Sequence, residues 1–207
     1  MRPKKEENRP DNRKVIFKVA MQLFLEKGYS ATTTYDICAA AKITKPTLYY
    51  YAKSKRHLFY LLHMEAIDKI LKPHMEKSSS ISDPSERLIF MIRDLTEIVC
   101  LHPELRCLIN ETQSIRDQYF KGVRQMWKKH YLLLRETISQ LMSDKKIRTT
   151  SKPSTVALLI LGMIAWIPFW LHYNRKGRIH EISEAAIDLI FQNVFGKFTP
   201  EYFRKNI

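Results

Sequence analysis

Apolar residues recur at three- and four-residue intervals along most of this chain, the spacing of helices with one buried face. Strand-like alternation is scarce. The first stripe is Ile16, Val19, Ala20, Leu23 and Phe24, expected to start at an Asp11 cap and to stop at Gly28. Ser54 then caps a longer helix carrying Leu58, Leu61, Leu62, Ala66, Ile67 and Ile70. Pro73 is expected to kink or end it, with KSSSISDPSE as a polar break. Asp83-Pro84-Ser85-Glu86 reads as the next helix start, followed by Leu88, Ile89, Ile92, Leu95 and Val99 up to His102-Pro103. A short apolar segment, Leu105 to Thr112, leads to a long helix expected from about Arg116 to Met142, with Phe120, Val123, Trp127, Tyr131, Leu134, Ile138 and Leu141 on one side. The last two helices are expected over 153–175 and 183–195. The pattern predicts an all-α protein.

Between the first stripe and the connector, Thr33 to Lys55 (TTYDICAAAKITKPTLYYYAKSK) reads as two short helices joined by a tight turn. Thr33 and Asp36 have the spacing of a capping box for a helix running to about Ala41, with Ile37, Cys38 and Ala41 as its small apolar face. Lys42-Ile43 breaks the pattern. Thr44 is a second N-cap, and Pro46 sits in the first turn, where its missing N–H does no harm. On the second helix Leu48 and Ala52 share one side, leaving Lys45, Thr47, Tyr49, Tyr50 and Lys53 on other faces. Lys and Thr facing outward suit a DNA major groove, where Lys donates to guanine or phosphate and Thr meets a base edge or a thymine methyl. The same residues also fit a plain surface hairpin with tyrosines filling gaps.

Charge changes this picture. The chain of 207 residues carries a formal +14, and residues 1–60 hold thirteen Lys or Arg against five acids. More than half of the excess therefore surrounds the two-helix motif, as phosphate contacts require. The first ten residues, MRPKKEENRP, have nothing to bury and read as a flexible arm, either solvated or touching phosphate or the minor groove. Cys38, Cys100 and Cys107 form no CxxC pair or metal spacing, which points to reduced thiols in a cytoplasmic protein without cofactor or metal. No signal peptide is evident, and Val156–Trp170, fifteen residues containing Pro168, is too short to span a bilayer, so a buried helix is expected. No nucleotide loop, nucleophile elbow or paired-carboxylate motif suggests an enzyme.

Residues 13–58 resemble the N-terminal domain of the TetR family of transcriptional repressors, through Ala20-Met21-Gln22-Leu23-Phe24, Gly28-Tyr29, Asp36-Ile37-Cys38-Ala39-Ala40-Ala41, Pro46-Thr47-Leu48-Tyr49 and Lys53-Ser54-Lys55. Lys42 stands where the family usually has Gly, and Ala52 where it usually has Phe. The resemblance implies a flexible arm (1–10), a three-helix helix-turn-helix DNA-binding domain (11–53) and a helical ligand-binding and dimerisation domain (54–207). It also implies a homodimer on a palindromic double-stranded operator. Thr34, Tyr35, Tyr49, Lys53 and Lys55 are then candidates for phosphate contacts, Lys45, Pro46, Thr47 and Tyr50 for the groove floor, and Tyr51 for either. The excess apolar surface of the last two helices fits a four-helix dimer interface.

In the C-terminal part, Gly162-Met163-Ile164-Ala165-Trp166 with Trp170 and Gly177 is similar to the branch of the family that senses fatty acyl or steroid-like coenzyme A thioesters, although Leu171 stands where that branch has an aromatic. Trp127, His130, Tyr131, Trp166, Phe169, Trp170 and Tyr173 are the candidate lining of a pocket for a small hydrophobic effector, or ordinary core. Arg116, Arg124, Lys128 and Lys129 either meet a phosphate-bearing head group or form a solvated face. The alternative to the repressor is a basic helical protein that binds nucleic acid or anionic surfaces without sequence preference.

Overall fold

Helix ends set by local side-chain chemistry define the first part of the chain. The computed structural model describes residues 12–112, 120–144, 151–171 and 176–195. The arm, Asp11, the expected start at Arg116 and Tyr173 lie outside these. Helix α1 (Asn12–Lys27) ends at Gly28, whose φ of 81° suits a residue without Cβ and whose N–H donates to Phe24 O at 3.0 Å. Buried Thr32 donates its hydroxyl to Gly28 O (2.8 Å) and Leu23 O (3.2 Å), pairing carbonyls that the helix end leaves open. α2 (Thr34–Ala41), α3 (Lys45–Tyr51) and α4 (Lys55–Ala66) follow. Ile16, Phe17, Ala20, Phe24, Ile37, Leu48, Leu58 and Phe59 are buried, and the Phe24, Tyr29 and Phe59 rings meet at 4.8–5.7 Å. Each of the buried Ile, Leu and Phe side chains contributes roughly 1.5–3 kcal/mol.

The connector differs from its expectation. Pro73 neither ends nor interrupts it: α4 passes into a π-helical turn, Ile67–Leu71, and helix α5 (Lys72–Ser80) follows with Pro73 in its first turn. The change of hydrogen-bond register at the π turn falls where proline has no N–H to give. The serines lie within the helix with each hydroxyl bonded back to the preceding turn: Ser78 to His74 O, Ser79 to Met75 O and Ser80 to Lys77 O, at 2.7–2.9 Å. The break comes at Ile81, before Asp83 accepts from the Glu86 N–H (2.8 Å) and starts α6 (Pro84–Leu101).

Helices α7 (Pro103–Thr112), α8 (Phe120–Asp144), α9 (Pro153–Trp170) and α10 (Lys176–Leu189) complete the set, with a second π turn at Ile190–Val194. No strand occurs among the described residues. α9 stops at Trp170, because Leu171 is extended (φ −91°, ψ 117°), so the helix expected to 175 is shorter. α10 begins earlier than the expected 183, at Lys176, and Ser183 lies inside it with its hydroxyl bonded back to His180 O (2.8 Å). The chain divides into two units. The head is Met1–Ala66 with Glu104–Lys121, and so takes in α4 and most of α7; the body is Ile67–Pro103 with Gly122–Ile207.

The body's core is built from α6, α8, α9 and α10, with Leu88, Ile92, Leu134, Ile138, Ile160, Ile164, Ile187 and Phe191 at its centre. Arg93 forks onto Glu184 with two bonds, at 2.7 and 2.9 Å, tying α6 to α10. α9 is not the wholly buried helix expected. It buries Val156, Ala157, Ile160 and Ile164, while Leu158, Leu159, Trp166 and Phe169 stand more than half exposed.

Candidate nucleic-acid interface and body site

The motif forms as its caps dictate. Thr33 donates to the Asp36 carboxylate through both N–H and hydroxyl (2.8 Å each), and its Oγ1 accepts from the Asp36 N–H (3.1 Å). The Thr33 backbone N–H, and then its hydroxyl, hold the Asp36 carboxyl below its ordinary pKa. Lys42 takes the left-handed turn position at φ 54°, without the glycine that would suit it. Thr44 caps α3 by accepting from the Thr47 N–H (3.4 Å), and the two threonine hydroxyls bond at 2.9 Å. Leu48 and Ala52 both face inward, but α3 ends at Tyr51: Ala52 is its extended C-cap, and Lys53 lies beyond the helix. A short helix buried on one side is thus left with an open outer face.

On that face Lys45, Pro46, Tyr49 and Tyr50 are exposed, Tyr50 at 84%, and Thr47 and Tyr51 are half-buried. The Tyr50 and Tyr51 rings meet edge to face at 5.1 Å. On α2 Tyr35 is exposed and Thr34 half-buried. Lys53 is exposed, its N–H received by His57 Nδ1 (3.1 Å), while Ser54 Oγ accepts from the His57 N–H (3.0 Å). These two reciprocal bonds fix the start of α4.

Lys55 is placed differently. Its ammonium donates to Tyr29 O (2.8 Å), Thr32 O (2.9 Å) and Ser30 O (3.4 Å) and lies 4.3 Å from the Tyr29 ring centre. Burial lowers its pKa, and Glu111 partly opposes that shift. This clamp on the loop before α2 was invisible to local patterning, because its partners lie 23–26 residues away.

In the body the aromatic candidates separate. Tyr131 and Trp127 are half-buried on α8, and Trp127 lies edge-on to buried His130 at 6.4 Å. Trp166 and Phe169 pair at 5.0 Å on the outer side of α9. Trp166 borders an open groove of about 660 Å³ with Met163, Ile167, Leu171, Arg178, Glu181 and Ile182. Trp170 closes α9; its side chain, like Tyr173, lies outside the described residues.

Sequence reading missed the partners of His130. Its Nε2 is 3.2 Å from His74 Nε2, and His74 Nδ1 is 2.6 Å from Asp94 Oδ2. Burial and the neighbouring His74 depress the His130 pKa to about 3, and in the head burial alone depresses that of His63 to about 4. Among the described residues no group of His, Cys, Asp or Glu is arranged to hold a metal ion, and no helix is long and apolar enough to cross a membrane.

Comparison with known proteins bears on both units. Residues 16–60 match the family model described as bacterial regulatory proteins, tetR family, and residues 82–194 the tetracyclin repressor-like C-terminal domain. Neither description names a catalytic activity. The HTH-type transcriptional regulator YvkB of Bacillus subtilis is 33% identical over 98 residues, 47% of this chain and 46% of YvkB; the chain thus spans about half the length of that relative. IcaR of Staphylococcus aureus, a negative transcriptional regulator of a biofilm operon, is 23% identical over 86% of this chain and 95% of its own. AibR, solved with isovaleryl coenzyme A and operator DNA, shares the fold with a TM-score of 0.78 at 22% identity, over 89% of this chain and 98% of AibR.

Proposed function

Because the chain belongs to the TetR family of transcriptional regulators, we propose that it is a ligand-responsive repressor, bound as a homodimer to a palindromic operator and released by a small, largely apolar effector. The observation that carries this reading is α3: capped by Thr44, anchored by Leu48, and open on the face that holds Lys45, Pro46, Thr47 and Tyr50. Those four residues meet base edges. Thr34, Tyr35, Tyr49 and Lys53 meet phosphate, Tyr51 either, and Lys55 reaches phosphate while keeping hold of its loop.

Dimerisation is supported by Leu158, Leu159, Trp166 and Phe169 on α9 and Leu189 on α10, apolar side chains more than half exposed in the single chain. A twofold pair would set two α3 helices in successive major grooves. A fatty acyl-coenzyme A or similar effector is supported by AibR, which was solved with such a thioester, and by the aromatic setting of His130. Selection from random double-stranded DNA at near-physiological salt tests the whole reading. Enrichment of a palindrome with half-sites about one helical turn or a multiple apart is expected. Salt-sensitive binding with no enriched sequence would instead favour a nonspecific basic protein.

A further inference from the structure

Residues 28–55 contain no Arg, Asn, Gln or Glu. Those are the side chains that read base edges through well-placed hydrogen bonds: Arg on guanine, Asn and Gln on adenine, Glu on cytosine. Asp36, the one acid in the stretch, is taken up by Thr33, whose N–H and hydroxyl both donate to it at 2.8 Å. Of the four lysines, Lys55 holds carbonyls of the loop before α2, Lys42 lies in the turn and Lys53 beyond α3. Lys45 is the one cation within α3 itself. Hydrogen-bond readout by this helix is therefore thin.

What the open face of α3 offers a base is mostly carbon. Pro46 is exposed and has no N–H to give. The Thr47 hydroxyl is engaged with that of Thr44 at 2.9 Å, and Thr44 Oγ1 also receives the Thr47 N–H, whereas the Thr47 methyl carries no such tie. Tyr50 is the most exposed large side chain of the motif, and Tyr51 steadies its ring edge to face. Tyr50 follows Pro46 by four residues and Thr47 by three, so the three share one side of the helix. One helical turn of about 5.4 Å separates the ring from the other two, which is between one and two base steps of about 3.4 Å. The apolar feature that a major groove presents is the C5 methyl of thymine.

We propose that this protein selects its operator mainly by methyl contact. Each half-site carries a pair of thymines within about three base pairs, one methyl packing on Pro46 and Thr47 and the other on Tyr50. The inference rests on the reading of α3 as the helix that enters the groove, and it goes further by naming the class of sequence that the helix prefers. Each buried methyl contributes about fourfold to affinity.

Selection from random double-stranded DNA supplies the half-site. Replacing its thymines one at a time by deoxyuridine, which removes the C5 methyl and keeps the base pair, then tests the contacts. At a contacted thymine, uracil should weaken binding about fourfold, and a 5-methylcytosine·guanine pair placed there should bind about fourfold tighter than an unmethylated one. Thr47→Ser keeps the hydroxyl and removes the methyl, and so should abolish the uracil penalty at one thymine. Tyr50→Ala, at a largely exposed position, should abolish it at the other. A selected half-site without thymine, or uracil changing affinity by less than about twofold at every thymine, would overturn the proposal and leave a sequence-reading regulator standing. Penalties that persist in both variants would overturn it as well, by placing the methyls against other residues. Selection of no sequence would fail the repressor reading itself, and this inference with it.

Discussion

The two-helix motif of the head and the histidine line of the body, Asp94, His74 and His130, are each held by a few side-chain hydrogen bonds, but over very different sequence distances. Thr33 with Asp36 and Thr44 with Thr47 bond across three residues; His74 reaches Asp94 across 20 and His130 across 56. Bonds of the first kind form as soon as the helix does and fix its ends. Those of the second kind exist only after α5, α6 and α8 have packed, so they report on the fold rather than direct it. The head is accordingly built to present an unchanging surface, and the body to bury a pair of histidines.

Acid should break this comparison most strongly, because each unit buries a neutral histidine. The folded-state pKa values of His63 (about 4) and His130 (about 3) lie below the ordinary 6.5, so the unfolded chain binds more protons. Their contribution is complete above about pH 6.5 and is lost as pH falls towards the folded values. Each loses roughly 1.4 kcal/mol per pH unit, about 4 kcal/mol for the pair between pH 6.5 and 5. Urea unfolding at pH 7 and pH 5 measures it. His63→Leu should remove about half of the slope, and a combined loss under about 1 kcal/mol would mean that both rings accept protons while folded.

How much could be read in advance follows the same division. The caps of α2, α3 and α6, the Gly28 stop and the inward pair Leu48 and Ala52 were legible, because each depends on neighbours within one turn. Pro73 misled, since a proline stop is a local rule and the π turn before it is not marked in the residues. The Lys55 clamp and the histidine line join residues more than twenty apart or nearly so, and no spacing rule reaches that far.

Lys55 sharpens the comparison next, because it is the head's one long-range polar anchor described above. Lys55→Ala should destabilise the head by about 2 kcal/mol through three carbonyls that lose a charged donor, a cost reduced where water replaces it. Thermal unfolding reads that loss. The salt dependence of operator binding reads the other role: a slope smaller by about 0.9 means that the ammonium also neutralises a phosphate, and an unchanged slope at lower affinity means that it only holds the loop.

Substitutions on the open face of α3 should have smaller and more selective effects. Lys45→Ala and Thr47→Ala are each expected to cost about 1–2 kcal/mol at particular base pairs and to relax the preference there. Binding to a set of singly altered operators resolves this. Equal losses on every sequence would place both residues on the backbone of the DNA instead.

The smallest effect tests whether the motif's geometry depends on its caps alone. Lys42 holds a left-handed conformation that costs an ordinary residue about 1 kcal/mol, while glycine adopts it freely. Its N–H lies 3.2 Å from Ala39 O, and the following Ile43 N–H bonds Cys38 O at 3.0 Å, so the turn is already closed by backbone bonds that glycine would keep. Lys42→Gly should therefore raise stability by up to about 1 kcal/mol, less the entropy glycine adds to the unfolded chain, and leave operator preference unchanged. A loss of affinity without loss of stability would show instead that the Lys42 ammonium, exposed at the turn between α2 and α3, contributes to the DNA contact.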